Sequence, residues 1–121
     1  KIAAVRKDII PPKLYGDPSY RVLLLGWGSV KQPIIEAMAV LGRASVAYLH
    51  FPWVYPLPDG VAEYMAAAET TIAVEGNATG QFADLVELAT LRRVDARILK
   101  SDGYQYGVEE LAQRISALAK F

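Results

Sequence analysis

Short, nearly unbroken apolar runs alternate along this chain with segments whose apolar residues recur every three or four positions. That alternation predicts strands covered on both faces and joined by amphipathic helices. The first strand spans residues 21–25 and is apolar through Val22-Leu23-Leu24-Leu25. A helix over 32–41 follows, with Pro33 suited to its first turn and Ile34, Ala37, Met38 and Leu41 on one face. Gly42 ends it as a C-cap. The second strand is 44–49, and a short helix over 59–68 turns Val61, Tyr64 and Met65 inward. The third strand is 70–75, and the helix behind it, 79–92, points Phe82, Leu85, Val86 and Ala89 at the sheet. The fourth strand, 94–99, alternates Val94, Ala96 and Ile98 against Asp95 and Arg97. One wetter face suits an edge strand. The last helix, 108–120, carries a stripe of Val108, Leu111, Ile115 and Leu118.

Repeated strand–helix units predict an α/β fold: a three-layer α/β/α sandwich around a mostly parallel sheet of four to five strands. The first and third strands are the most uniformly apolar and belong at the centre. Right-handed crossovers then give the order 2-1-3-4. In that order the winding reverses between the first and third strands, and such a switch point is where open sheets bind ligands. It is bordered by residues 26–29 and 76–81. Residues 1–19 read differently. A helix end at 1–10 is stopped by Pro11-Pro12, and Tyr15-Gly16-Asp17-Pro18 is turn chemistry. The expected division is an arm or linker over 1–19 and one domain over 20–121.

Composition narrows the function. The chain has 121 residues, 53% of them hydrophobic, with 13 basic and 13 acidic side chains. Zero net charge argues against nucleic acid as a partner, because phosphate binding needs a positive field. No apolar run approaches the ~20 residues needed to cross a bilayer and no signal peptide is visible, so the expectation is a cytoplasmic protein with no membrane partner. Cysteine is absent, which excludes disulfides, thiolate chemistry and cysteine-ligated iron–sulfur or zinc sites in this chain. The single histidine, His50, excludes a multi-histidine metal site.

Two glycine-bearing loops follow the central strands. Gly26-Trp27-Gly28-Ser29-Val30-Lys31 is two thirds of a dinucleotide fingerprint, but Lys31 replaces the third glycine. His50 stands about where the ribose-binding acid belongs. A tight turn serving packing is the better reading, with Ser29 capping the helix and Gln32 at capping-box spacing. Around Gly80, the polar residues Asn77, Thr79 and Gln81 open a helix N-terminus that can hold an anion. Capping by Thr79 or Asn77 is the favoured reading. His50 is a satisfied structural group rather than a catalytic base. Glu75 and Asp102 follow strands and have Lys100 and arginines as candidate partners. No nucleophile elbow, P-loop or metal-spaced cluster is present. The 50–58 loop sets Phe51, Trp53, Val54 and Tyr55 among Pro52, Pro56 and Pro58. Its aromatic, charge-poor character is that of an interface core, and a second copy of the chain is one candidate partner.

Several of these segments, in order along the chain, carry a family resemblance. Val22-Leu23-Leu24-Leu25-Gly26-Trp27-Gly28-Ser29, followed by a helix with Pro33-Ile34, resembles the second domain of the α subunit of 2-oxoacid:ferredoxin oxidoreductases. The proline-rich loop after the second strand resembles that family's Pro-x-Pro element. Val74-Glu75-Gly76-Asn77-Ala78-Thr79-Gly80-Gln81 resembles its VENNxTGQ segment, with Gly76 where asparagine is commoner. Lys100-Ser101-Asp102-Gly103 followed by Val108-Glu109-Glu110-Leu111 resembles its K-x-D-G and VEEL close, and Ile10-Pro11-Pro12 through Tyr15-Gly16 its inter-domain connection.

The resemblance implies a transketolase C-terminal-like domain, in which an antiparallel edge strand from 13–20 lies beside the second strand. It also implies a non-catalytic assembly domain of an oxidoreductase that decarboxylates a 2-oxoacid with coenzyme A and passes electrons to ferredoxin. Thiamine diphosphate, magnesium and iron–sulfur clusters would belong to other domains and subunits, and no cofactor to this one. The candidate binding or interface residues are Gly26, Trp27, Gly28 and Ser29; His50, Trp53 and Tyr55; Asn77, Thr79, Gly80 and Gln81; and Lys100, Asp102 and Gly103. From the residues alone, the competing expectation is a small regulatory module that binds a nucleotide or anion at the same two loops.

Overall fold

A computed structural model of the chain describes residues 11–42, 45–52, 60–76, 80–99 and 106–120. At its centre the apolar run after Arg21 forms β2 (Val22–Trp27), whose first five residues are buried. β3 (Val46–Phe51) and β4 (Thr70–Val74) flank it in parallel, and β5 (Ala96–Ile98) adds in parallel to β4. On the other edge β1 (Lys13–Gly16) runs antiparallel to β3. The sheet order is β1-β3-β2-β4-β5. This is the expected 2-1-3-4 arrangement with the antiparallel strand added beside the second.

The sheet therefore begins at Lys13, inside the stretch read as an arm. Asp17 fixes the turn after β1, accepting from the Ser19 N–H at 2.8 Å and the Ser45 N–H at 2.6 Å. The Tyr20 hydroxyl donates to the Tyr64 carbonyl at 2.7 Å.

Among the described residues four helices cover the sheet: α1 (Lys31–Leu41), α2 (Val61–Ala66), α3 (Gln81–Thr90) and α4 (Val108–Ala119). Successive strand residues point to opposite faces, and the two cores sort accordingly. Leu23, Leu25, Leu49, Phe51 and Ala73 pack with Val61 and Met65 of α2 and Phe82, Ala83 and Val86 of α3. Leu24, Tyr48, Ile72, Val74 and Ile98 pack with Ile34 and Ala37 of α1 and Leu111, Ala112 and Ile115 of α4. Each fully buried leucine or isoleucine contributes about 1.5–3 kcal/mol relative to an exposed one, so both faces of the sheet stabilise the fold.

α3 and α4 depart from the expected stripes in the same way. Ala83 and Ala112 are buried, whereas Ala89 and Leu118 are exposed. Each helix is turned so that a small residue meets the sheet, which rotates the position seven after Phe82 or Leu111 to the rim. α1 ends at Gly42 as expected, with φ of 59° and its N–H bonded to the Met38 carbonyl. α3 stops earlier than expected, at Thr90, with Leu91 in the left-handed region.

Candidate functional site at the carboxyl edge of the sheet

β2 and β4 end side by side, and the glycines at those ends have different causes. A Cβ on Gly26 would lie 2.7 Å from Val30 Cγ2 and 3.2 Å from both the Val74 carbonyl and the Tyr48 hydroxyl. Close packing between the two loops excludes a side chain there. Gly28 has open space around it, but its φ of +68° is costly for any other residue. It opens a 3-10 turn, Gly28–Val30, that runs directly into α1, the Lys31 N–H bonding to the Gly28 carbonyl.

That turn satisfies the helix start, so Ser29 does not cap it. The N-cap is Val30, without a side-chain bond. Gln32 reaches forward to Glu36 instead, at 2.9 Å. Ser29 is exposed beside Trp27, which is 44% exposed at the end of the strand.

In the second loop the group that matters is Glu75, only 1% exposed. Its Oε1 accepts from the Phe82 N–H at 3.0 Å and its Oε2 from the Ala83 N–H at 2.9 Å. These are orphan donors of the first turn of α3, at the positive end of the helix dipole. The residue before that turn is Gly80, with φ of 71° and no capping side chain. Glu75, just after the end of β4, therefore caps this helix, while Asn77 and Thr79 lie outside the described residues. Sequence reasoning missed this. The available signal was a lone carboxylate closing an otherwise apolar strand.

Two further residues tie this edge together. The buried Tyr106 hydroxyl donates to the Glu75 carbonyl and lies 3.1 Å from the Ile98 carbonyl. Arg97 on β5 donates to Asp84 and Glu87 of α3, each at 2.9 Å, and to the Gly80 carbonyl at 3.3 Å. The Asp84 hydrogen bond leads the effects that hold the guanidinium above its usual range.

His50 sits on β3, paired with Gly26 on one side and Lys13 on the other. Its Nδ1 is 2.7 Å from the Tyr48 hydroxyl. Burial first, and Lys31 second, push the imidazole below its usual range. Burial likewise raises the Tyr48 phenol. The Tyr48 hydroxyl and Nδ1 share one hydrogen bond, whose direction is set by the imidazole tautomer. Among the described residues the ring's hydrogen-bond partner is the Tyr48 hydroxyl. Beside it, Lys31 leads the effects that hold the Tyr15 hydroxyl below the phenol range, and Lys13 adds to it.

The structure thus brings together Gly26, Trp27, Gly28, Ser29, His50, Gly80 and Gln81 along one edge. Trp53, Tyr55, Asn77, Thr79, Lys100, Asp102 and Gly103 lie outside the described residues. β3 runs on through Phe51, two residues beyond the expected end. Phe51 is fully buried with its ring edge-on to Phe82 at 5.3 Å, so it is core and the interface reading does not extend to it.

No protein-family model matches the chain. Among curated proteins it is 40% identical over 108 residues to the alpha subunit of 2-oxoacid:ferredoxin oxidoreductase 1 of Aeropyrum pernix. It is 35% identical over 108 residues to the alpha subunit of oxidoreductase 2 of the same organism. A Sulfurisphaera tokodaii alpha subunit is 30% identical over 112 residues. These matches take in 85%, 84% and 89% of this chain but 17% of each relative, so the chain spans about a sixth of their length.

Among solved structures, the 2-oxoglutarate:ferredoxin oxidoreductase of Magnetococcus marinus superposes with a TM-score of 0.79 at 22% identity. That fit takes in 96% of this chain and 21% of the other. The alpha chain of a probable 2-oxoacid ferredoxin oxidoreductase from Thermoplasma acidophilum superposes at 0.63 with 25% identity. It matches over 92% of this chain and 98% of its own length. With the fold and these alignments in agreement, the chain is similar over most of its length to one α/β domain of the α subunits of 2-oxoacid:ferredoxin oxidoreductases.

Proposed function

We propose that this chain is a non-catalytic structural and assembly domain of a thiamine-diphosphate-dependent 2-oxoacid:ferredoxin oxidoreductase. The whole enzyme decarboxylates a 2-oxoacid oxidatively with coenzyme A and passes the electrons to ferredoxin. The observation that carries the reading is the alignment of nearly all of this chain with one sixth of an α subunit.

The edge chemistry supports it. Glu75 spends both carboxylate oxygens on backbone N–H groups, and the Tyr106 hydroxyl is held by backbone carbonyls. Arg97 is engaged by Asp84 and Glu87, and His50 by Tyr48. Groups committed in this way organise the loops rather than exchange protons with a substrate.

The sequence bears on one of the enzyme's cofactors directly. Iron–sulfur clusters need thiolates, and there is no cysteine. Among the described residues no group of three His, Cys, Asp or Glu side chains could hold a metal ion. On this reading thiamine diphosphate, its magnesium and the clusters belong to other domains and subunits.

The rim of Trp27, Ser29 and Gln81, all exposed, is the natural contact for those partners. The segment ahead of β1 is read as the connection from a preceding domain. Ferredoxin is reached only through the complex, and the setting is cytoplasmic. No helix among the described residues is long and apolar enough to cross a membrane.

Assay of the purified chain tests the reading. It is expected to bind no thiamine diphosphate in calorimetry and to oxidise no 2-oxoacid with coenzyme A and a dye acceptor. Tight binding or turnover by the chain alone overturns it.

A further inference from the structure

The β1–β3 edge gathers a set of hydrogen-bond donors that the assembly role leaves unused. Across the strands Lys13 stands opposite His50, and Tyr15 opposite Tyr48. Residues two apart on a strand share a face, so all four side chains lie on the side covered by α1. The Tyr15 ring stacks on Tyr48, with centroids 6.2 Å apart and planes at 23°. Lys13 Nζ is 5.2 Å from the centre of the Tyr15 ring, and Lys31 Nζ, from the start of α1, is 5.1 Å from it.

Each ammonium group alone is within cation–π range. Two of them around one ring repel, and a carboxylate between them would be the ordinary remedy. The ion pairs among the described residues, Arg21–Glu69 and Arg97 with Asp84 and Glu87, use neither lysine. With Nδ1 of His50 occupied by the Tyr48 hydroxyl, the ring atom it has left to offer is Nε2, an N–H donor in the tautomer that accepts at Nδ1. The cluster thus presents two ammonium groups, a phenol O–H and an imidazole N–H.

We propose that Lys13, Lys31, Tyr15 and His50 form a site for the phosphoryl group of a small-molecule ligand. A phosphoryl dianion matches the two positive charges and has three free oxygens for the donors. A carboxylate carries one charge and two oxygens, which leaves one ammonium uncompensated. The site adjoins the first glycine loop, taking Lys31 from the end of that segment and His50 from the strand position paired with Gly26.

Pyrophosphate titrated into the 121-residue chain at constant low ionic strength is the test, read by calorimetry and by melting temperature. Saturable one-site binding and a rise in melting temperature are expected. Acetate at matched ionic strength should produce neither. Lys13→Gln/Lys31→Gln should melt no lower than wild type without ligand and bind pyrophosphate at least about tenfold more weakly. Lys120→Gln, at the far end of α4, should bind like wild type. Lys13→Gln alone, on the exposed edge strand, gives the same comparison at smaller amplitude. Undiminished binding by the lysine variants, equal saturation by acetate, or no saturable binding at millimolar pyrophosphate would overturn the proposal. So would a double variant that melts well below wild type, because the lysines would then serve packing.

Discussion

Replacing Glu75 by glutamine should destabilise the domain selectively at the start of α3. The side chain is buried and keeps its volume, so the change is one of hydrogen bonding and charge. In the wild type both carboxylate oxygens accept from backbone N–H groups, at 3.0 and 2.9 Å. Glutamine has one acceptor oxygen, so its NH2 group must face the other N–H. A buried donor left unsatisfied costs about 1–3 kcal/mol. Loss of a negative charge at a helix N-terminus costs a further ~0.3–1 kcal/mol. Relief from burying a charge offsets part of this, so the net expectation is about 2 kcal/mol. Unfolding entropy of ~2.1 cal/mol/K per residue makes 1 kcal/mol worth roughly 4 °C at this length, and the melting temperature should fall by about 8 °C. Glu75→Ala should fall further, because both donors are orphaned and a cavity is left. Thermal unfolding followed by circular dichroism gives the size. Amide hydrogen exchange gives the location: the Phe82 and Ala83 amides should lose protection in the variant. A melting temperature within about 1 °C of wild type, or unchanged exchange at those two amides, would refute the capping account.

The two glycines of the first loop should respond in a fixed order. Gly26→Ala forces a methyl against Val30 and the Val74 carbonyl and should cost about 1–3 kcal/mol; Gly28→Ala meets open space and pays only for its positive φ, about 1 kcal/mol. Denaturant midpoints that reverse this order would contradict the packing argument. His50, as the single histidine, can be titrated cleanly by NMR, and its pKa should lie below 6.5. The unfolded state then binds more protons than the folded one around that pH, so stability should fall as pH drops through it, and less so in His50→Gln; titration at or above 6.5 would exclude the buried neutral ring. For the aromatic loop, Trp53→Ser with Tyr55→Ser should make a self-associating chain more monomeric in sedimentation with little loss of melting temperature, whereas a monomeric wild type and a much less stable variant would place these residues in the core.

The residues that made the fold legible are those whose neighbours in sequence decide their environment. The unbroken run Val22 to Leu25 announces a doubly covered strand, and Gly42 announces a helix end. The contrast between β2 and the alternating Ala96-Arg97-Ile98 separates centre from edge. Ala89 and Leu118 escaped because a helix's rotation is set by how closely it approaches the sheet, and Ala83 and Ala112 decide that only once the sheet exists. Ser29 had the right spacing to cap but lost to a 3-10 turn that needs no side chain. Glu75, Tyr106 and Arg97 act across gaps that only the tertiary fold closes. The pairing of Lys13 and Tyr15 with His50 and Tyr48 depends on the register of an antiparallel edge strand, which pattern alone does not specify.

A domain graft tests the central claim most directly. The segment of the Aeropyrum pernix oxidoreductase 1 alpha subunit that aligns with this chain would be replaced by this chain's sequence, and the chimera expressed with its partner. If this chain is the corresponding assembly domain, the chimera should form a complex of native size that oxidises a 2-oxoacid and reduces ferredoxin. Failure to assemble, in a chimera whose grafted domain is folded by hydrogen exchange, would contradict the account.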